Sequence, residues 1–88
     1  MDKEQRQAIV KEYGENEADT GSTAVQIALL TARILELTEH TKVNKKDHST
    51  KRGLVAMVNR RKKLLKYLNS ENHAKYIEVT DRLGLRRK

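Results

Sequence analysis

Apolar residues recur along this chain with the 3.6-residue period of amphipathic α-helices, and nowhere with the two-residue period of a strand. Four segments carry this pattern, and the stretches between them are polar. We predict helices over Lys3–Tyr13, from Thr23 to about Thr41, from Ser49 or Thr50 to about Asn69, and from a turn at 69–72 to about Leu83.

The second and third predicted helices carry the broadest apolar stripes. In the third, Arg61 falls among the apolar positions, so its stem is expected along the core with its head in water. The second stripe consists of Ile27, Leu30, Ile34 and Leu37, widened by Val25, Ala28, Ala32 and Leu35. The third consists of Leu54, Met57, Val58, Leu64, Leu65 and Leu68.

Residues typical of helix ends flank each segment. Asp2 is placed to cap the first helix, Ser22 or Thr23 the second, and Ser49 or Thr50 the third. Gly14 and Gly84 are placed to end the first and fourth.

Two long helices joined by a short loop pack antiparallel. The predicted fold is therefore all-α: a four-helix domain, residues 1–88, built on a long antiparallel helical hairpin. The first helix has few apolar positions (Ala8, Ile9, Val10 and Tyr13), so we expect it to dock loosely.

Charge is distributed unevenly. The chain has a net charge of +7, with 19 Lys and Arg against 12 Asp and Glu, and residues 51–88 alone carry +9. A field of this kind attracts polyanions, which means nucleic acid first and an anionic membrane second. A solvated face that aids solubility is the alternative.

The composition argues against several classes of protein. Apolar residues make up 36% of the chain, below the ~45–50% of globular domains, so a deep ligand pocket is not expected. Cysteine is absent, which excludes disulfides and thiol chemistry. No segment has the length and apolarity of a membrane span, and the N-terminus does not resemble a signal peptide, so we expect a cytoplasmic protein.

Neither an active site nor a metal or cofactor site is predicted. His40, His48 and His73 lack the spacing of convergent metal ligands. Ser22, Ser49 and Ser70 lie where helix caps are expected, and we therefore expect a protein that is not an enzyme.

Binding is better supported, because polar residues recur every seven positions on the two long helices. Gln26, Arg33 and His40 form one stripe. Gly53, Arg60 and Tyr67 form the other. Each fits either an RNA-contacting surface or a solvated face, and Tyr67 fits either stacking on a base or packing in the core. The cations expected on RNA phosphates are Lys51, Arg52, Arg60, Lys62, Lys63 and Lys66.

Several runs of residues resemble the family of the fifteenth small-subunit ribosomal protein of bacteria. The resemblance covers nearly the whole chain. The runs are Asp19–Thr31 (DTGSTAVQIALLT), Lys45–His48 (KKDH), Arg52–Leu54 (RGL), Arg60–Leu68 (RRKKLLKYL) and Arg82–Arg87 (RLGLRR).

This resemblance implies a primary RNA-binding protein that organises the central domain of small-subunit ribosomal RNA early in assembly. The residues matching the family's three-way-junction site are Thr20, Gly21, Gln26, Arg33 and Tyr67. Those matching its second site, the minor groove of a nearby RNA helix, are His40, Asp47 and Thr50.

The resemblance also implies further partners. These are neighbouring small-subunit proteins, large-subunit RNA at an intersubunit bridge and, in some bacteria, the protein's own messenger. The chain departs from the usual family pattern at three positions: Thr50 replaces a serine, and Ser49 and Asn44 each replace a histidine.

A DNA-binding architectural protein is the alternative function. A basic helical hairpin suits a DNA groove on charge alone, but the sequence lacks a recognisable helix-turn-helix spacing.

Overall fold

The computed structural model describes residues 3–14 and 22–85. Four α-helices account for nearly all of them, in agreement with the predicted all-α fold, and no strand occurs within these ranges. The helices are α1 (Lys3–Tyr13), α2 (Thr23–Val43), α3 (His48–Glu71) and α4 (His73–Leu83). The predicted cap Asp2, the predicted site residues Thr20 and Gly21, and the basic tail 86–88 lie outside the described ranges.

The long helices α2 and α3 form the predicted hairpin, and α1 and α4 pack at the end where α2 begins and α3 finishes. The core is concentrated there. Ile27, Val25 and Val79 are completely buried, and burying one such aliphatic side chain contributes about 1.5–3 kcal/mol. Its other buried members are Val10, Tyr13, Ala24, Ala28 and Leu68.

The first helix contacts this core along a narrow strip. Of its eleven residues only Val10 and Tyr13 are buried. The guanidinium of Arg82 on α4 lies 5.7 Å from the centroid of the Tyr13 ring and donates to the Glu12 carbonyl at 3.4 Å. Burial raises the pKa of the Tyr13 hydroxyl. The expectation that α1 docks loosely concerns its free energy of docking and stays a prediction.

The far half of the hairpin has almost no buried side chains. Beyond Ile34 on α2, and before Leu68 on α3, no residue is fully buried. The prediction that Leu35 widens the apolar stripe is wrong, since Leu35 is 62% exposed.

Arg61 links the two long helices through a polar contact. Its guanidinium donates to the Thr31 hydroxyl at 3.4 Å, and that hydroxyl donates to the Ile27 carbonyl at 2.8 Å. Burial lowers the pKa of Arg61. The predicted stem along the core is present, but the head contacts α2 instead of extending fully into water.

Several helix ends agree with the prediction, including the bounds of α1, which ends at Tyr13 just before Gly14, and two differ. The Ser22 hydroxyl caps α2, and Gly84 ends α4. Asp47 caps α3, so the prediction of Ser49 or Thr50 was wrong: both lie in the first turn. The predicted turn at 69–72 contracts to Asn72, which ends α3 and caps α4, while Ser70 remains helical.

Gly84 is the one described residue with a positive φ, at 65°. The amide of Leu85 donates to the Thr80 carbonyl at 2.9 Å, and Leu85 packs against the core. The predicted stop at Gly84 is therefore confirmed, and Leu85 adds an apolar contact just after it.

Gly84→Ala should lower the free energy of unfolding by roughly 1–2 kcal/mol, because alanine in the left-handed region brings Cβ too close to the next carbonyl. Gly53→Ala is the control: a Cβ there meets no atom within 4 Å, so alanine should raise stability by about 0.5–1 kcal/mol. Urea unfolding followed by circular dichroism measures both. Equal effects of the two substitutions would contradict the αL assignment.

Candidate nucleic-acid interface

Three polar side chains lie along one face of α2. Gln26 is half-buried, and the side chains of Arg33 and His40 are 50% and 46% exposed. Fourteen residues separate the first from the last, about 21 Å at 1.5 Å per residue. The stripe predicted from spacing is therefore a surface feature and not part of the core.

A groove of about 300 Å³ lies beside this stripe, between α2 and α3. We call it the α2–α3 groove. Its lining combines one half-buried side-chain amide, three arginine guanidinium groups and two leucines. Its lining residues are Gln26, Leu29, Leu30 and Arg33 of α2, Arg60 of α3 and Arg6 of α1.

Arg6 was not among the predicted site residues. It precedes the buried Tyr13 by seven residues and Val10 by four, which places it on the core-facing side of α1. The spacing of Arg6 from these two residues could have indicated its position from the sequence. The α2–α3 groove thus contains a third arginine, and it comes from α1, the helix expected to dock loosely.

Tyr67 lies on the surface, with 55% of the residue exposed. This excludes the core-packing interpretation of its sequence position, because a tyrosine packed in the core would be buried. The interpretation that Tyr67 stacks on a base stays a prediction. It shares a face of α3 with Arg60, about 10.5 Å further along the axis. Its ring is available for stacking on the same side of α3 as the α2–α3 groove.

Arg33 is held by its neighbour Glu36, with Nη1 3.2 Å from Oε2. Both side chains are at least one-third exposed, and exposed pairs of this kind contribute little to stability. The contact therefore orients the Arg33 guanidinium at the groove. Because the ion pair is weak, a phosphate can replace the Glu36 carboxylate with little loss of free energy.

At the far end of the stripe, His40, Asp47, Thr50 and Asn44 form a hydrogen-bonded group that we call the loop cluster. The Asp47 carboxylate accepts from the Thr50 amide at 3.1 Å and from the Thr50 hydroxyl. Its Oδ2 lies 3.1 Å from His40 Nε2. The three residues predicted for a second site are thus in direct contact.

Asn44 completes the loop cluster through a contact with the second nitrogen of the His40 ring. Its Nδ2 lies 3.4 Å from His40 Nδ1. Each nitrogen of the His40 ring therefore has one partner, Asp47 at Nε2 and Asn44 at Nδ1.

These contacts stabilise the charged form of Asp47. Hydrogen bonds from the Thr50 hydroxyl and amide, and then from His40, lower the pKa of the Asp47 carboxyl to about 2. The carboxylate is therefore ionised at neutral pH and is already engaged in the free protein. A minor groove would meet a preformed group of donors and acceptors.

The predicted phosphate-binding cations of α3 are all exposed but do not share one side. Arg60 lines the α2–α3 groove, whereas Lys62 and Lys66 line a second groove between α3 and α4. Lys51 and Arg52 follow the loop cluster in the first turns of α3.

The structure brings together two sets of the predicted site residues. Gln26 and Arg33 lie at the α2–α3 groove, with Tyr67 on the adjoining face of α3. His40, Asp47 and Thr50 form the loop cluster. Thr20 and Gly21, predicted with the first set, lie outside the described residues.

Within residues 3–14 and 22–85, no three histidine, aspartate or glutamate side chains come together as a metal site requires. None of the helices described is long and apolar enough to cross a membrane.

Comparison with known proteins gives a consistent result over nearly the full length. The family model for ribosomal protein S15 matches residues 6–86. The small ribosomal subunit protein uS15 of Borreliella burgdorferi strain ZS7 is 54% identical over 87 residues, which is 99% of each chain. That of Renibacterium salmoninarum is 58% identical over 82 residues, 93% of this chain and 92% of the relative. That of Leptospira biflexa is 54% identical over 85 residues, 97% of each.

Asp47→Asn should reveal the charge dependence of the loop cluster, because asparagine keeps the cap but loses the negative charge. The folded-state pKa of Asp47, about 2, lies below its ordinary value of 3.8. The stabilisation is therefore complete above pH ~4 and is lost as the pH falls towards ~2.

Urea unfolding at a series of pH values measures this effect. Wild type should be more stable than Asp47→Asn at pH ~6, and the gap should close as the pH approaches ~2. A gap that stays constant over that range would show that the charge of Asp47 does not matter.

Proposed function

Because the chain belongs to the ribosomal protein S15 family, we propose that it is a non-catalytic structural component of the small ribosomal subunit, associated with ribosomes in the cytoplasm, that binds the subunit's RNA at a three-way junction. The observation that carries the proposal is the position of two preformed polar sites on one hairpin, the α2–α3 groove and the loop cluster. The stripe from Gln26 to His40, about 21 Å long, spans both of them.

The α2–α3 groove supports junction binding by its mixture of groups. Arg6, Arg33 and Arg60 offer forked donors suited to phosphate, and Gln26 offers an amide suited to base edges or ribose hydroxyls. Tyr67 adds an exposed aromatic face. Such a set can fit backbones that converge at a junction, with Thr20 and Gly21 proposed as further contacts at the start of α2.

The loop cluster supports a second contact, in the wide minor groove of an adjoining RNA helix. His40, Asp47 and Thr50 are held in one arrangement before RNA arrives. Little side-chain entropy is then lost on binding. The Thr50 hydroxyl donates to the Asp47 carboxylate, so threonine in place of serine keeps this contact.

The positive charge of α3 and of the C-terminal half of the chain supports RNA as the partner. Residues 51–88 carry +9, and Lys51, Arg52, Lys62, Lys63 and Lys66 are exposed on α3. Phosphate contacts give affinity without sequence information, whereas the polar sites give selectivity. In this proposal the two sites hold the RNA helices in one arrangement during assembly of the subunit.

The further partners follow from family membership alone. They are neighbouring small-subunit proteins, large-subunit RNA at an intersubunit bridge, and the protein's own messenger. We propose that the protein contacts the first two when it is assembled in the ribosome, and its own messenger when it is present in excess over ribosomal RNA.

Tyr67→Ala should lower affinity for a small RNA three-way junction by roughly 5- to 150-fold, the effect of losing one stacked ring. Affinity for the unbranched RNA arms should change little. Tyr67→Phe is the matched control and should bind nearly as wild type, because it keeps the ring. Since Tyr67 is exposed, neither variant should unfold.

Titration against the junction, the separate arms and duplex DNA over a salt series measures this selectivity. Equal binding to all three, with the same steep salt dependence, would favour the DNA-binding alternative, because charge alone would then account for affinity.

Gly53→Ala should have opposite effects on folding and on RNA binding. Gly53 shares its face of α3 with Arg60 and Tyr67, and no atom of the protein lies within 4 Å of a Cβ built there. The protein's own packing therefore does not require glycine. We expect higher stability but roughly tenfold weaker junction binding, if an RNA backbone approaches Gly53 closely. Unchanged junction affinity would show that no RNA approaches this position.

A further inference from the structure

A second basic groove lies between α3 and α4, with a volume of about 570 Å³. This is within the ~300–1,000 Å³ range of ligand sites. We call it the α3–α4 groove. Leu65, Tyr76 and Leu85 line its apolar part, and Arg61, Lys62 and Lys66 supply positive charge.

The positive charge of this groove is not neutralised within the protein. Lys62 and Lys66 are exposed and form no ion pair with a carboxylate among the residues that the structure describes. Arg61, in contrast to the two lysines, has a hydrogen-bond partner, because its guanidinium donates to the Thr31 hydroxyl. The groove thus combines one fixed cation with two free ones.

The α3–α4 groove faces a different direction from the α2–α3 groove. The two have no lining residue in common. At 100° per residue, Lys62 and Lys66 centre about 130° around α3 from Arg60 and Tyr67 across the exposed side of the helix, and the buried stripe occupies the longer arc on the other side. An RNA held at the α2–α3 groove therefore leaves this groove open.

The dimensions favour one strand as the occupant. Packed helices lie ~8–10 Å apart, which is too narrow a gap for a whole duplex to enter. A cationic groove with an aromatic side chain in its wall is the usual way to hold an unpaired strand, by its backbone and its base faces. Tyr76 supplies that aromatic group, its ring stacked on His73 at a centroid distance of 6.0 Å.

We propose that the α3–α4 groove binds an unpaired RNA strand while the α2–α3 groove and the loop cluster hold the junction. The chain then joins two separate RNA segments through opposite sides of α3. The inference rests on the proposed function only in taking RNA as the ligand.

The test uses the full-length protein, first saturated with three-way-junction RNA. A short fluorescein-labelled oligouridylate is then titrated and its anisotropy followed. We expect a ternary complex without release of the junction. The double variant Lys62→Ala/Lys66→Ala should lower oligouridylate affinity roughly tenfold and reduce its salt slope by about 1.4, the value for two single-strand phosphate contacts.

The double variant Lys51→Ala/Lys63→Ala is the matched control, because it removes the same charge from α3 outside the groove. It should change oligouridylate affinity less than about threefold. Amide shifts on addition of oligouridylate should fall on Leu65, Asn69 and Leu85. Circular dichroism checks that both variants are folded.

Three outcomes would overturn the proposal. Equal losses in the two double variants would mean that net charge alone attracts the strand. Displacement of the junction would mean that the two RNAs share one site. Stronger binding of an acidic peptide with the same amide shifts would mean that the groove takes a protein. Junction affinity is measured in the same samples, so a failure of the proposed function is recognised separately.

Discussion

The antiparallel packing of α2 on α3 is the constraint on which everything else in this structure depends. It is secured differently at its two ends. At one end Ile27, Val25 and Val79 are completely buried and α1 and α4 cover them. At the other end the Asp47 carboxylate caps α3 and contacts both Thr50 and His40, so that hydrogen bonds join the loop to both helices. A small domain with little apolar material thereby keeps a long hairpin in one geometry.

The same arrangement leaves much of the hairpin surface available for binding. Because the core occupies one end, the rest of α2 and α3 is free to expose polar and cationic side chains over a length of about 21 Å. The loop cluster serves two purposes, since the groups proposed to contact RNA are those that close the hairpin. Its donors and acceptors are ordered before binding, and little entropy remains to be lost there. The ion pair between Arg33 and Glu36 orients a guanidinium in the same way at the α2–α3 groove.

Much of the fold was predictable because helix periodicity and end signals are local properties. The bounds of α1, the Ser22 cap and the Gly84 stop agree with the sequence prediction. Two predictions failed for different reasons. Leu35 has the spacing of a core residue but is 62% exposed, which depends on packing between helices. Asp47 caps α3 through a local contact with the Thr50 amide, and it is chemically as good a cap as Ser49 or Thr50, so residue type alone did not select it. Heptad spacing identified both polar stripes. The structure adds three facts that spacing did not provide: Tyr67 is exposed, Arg6 lines the α2–α3 groove, and the cations of α3 are divided between two grooves.

In the proposed function, two sites on one hairpin together recognise the shape of the RNA. The most direct test varies the number of base pairs between the junction and the helix that meets the loop cluster, in a small RNA titrated with the full-length protein. One spacing should bind best, and inserting or deleting a single base pair should weaken binding by roughly tenfold, because the hairpin cannot change the distance between its sites. Affinity that is independent of spacing would contradict the account and would mean that the two sites do not act together.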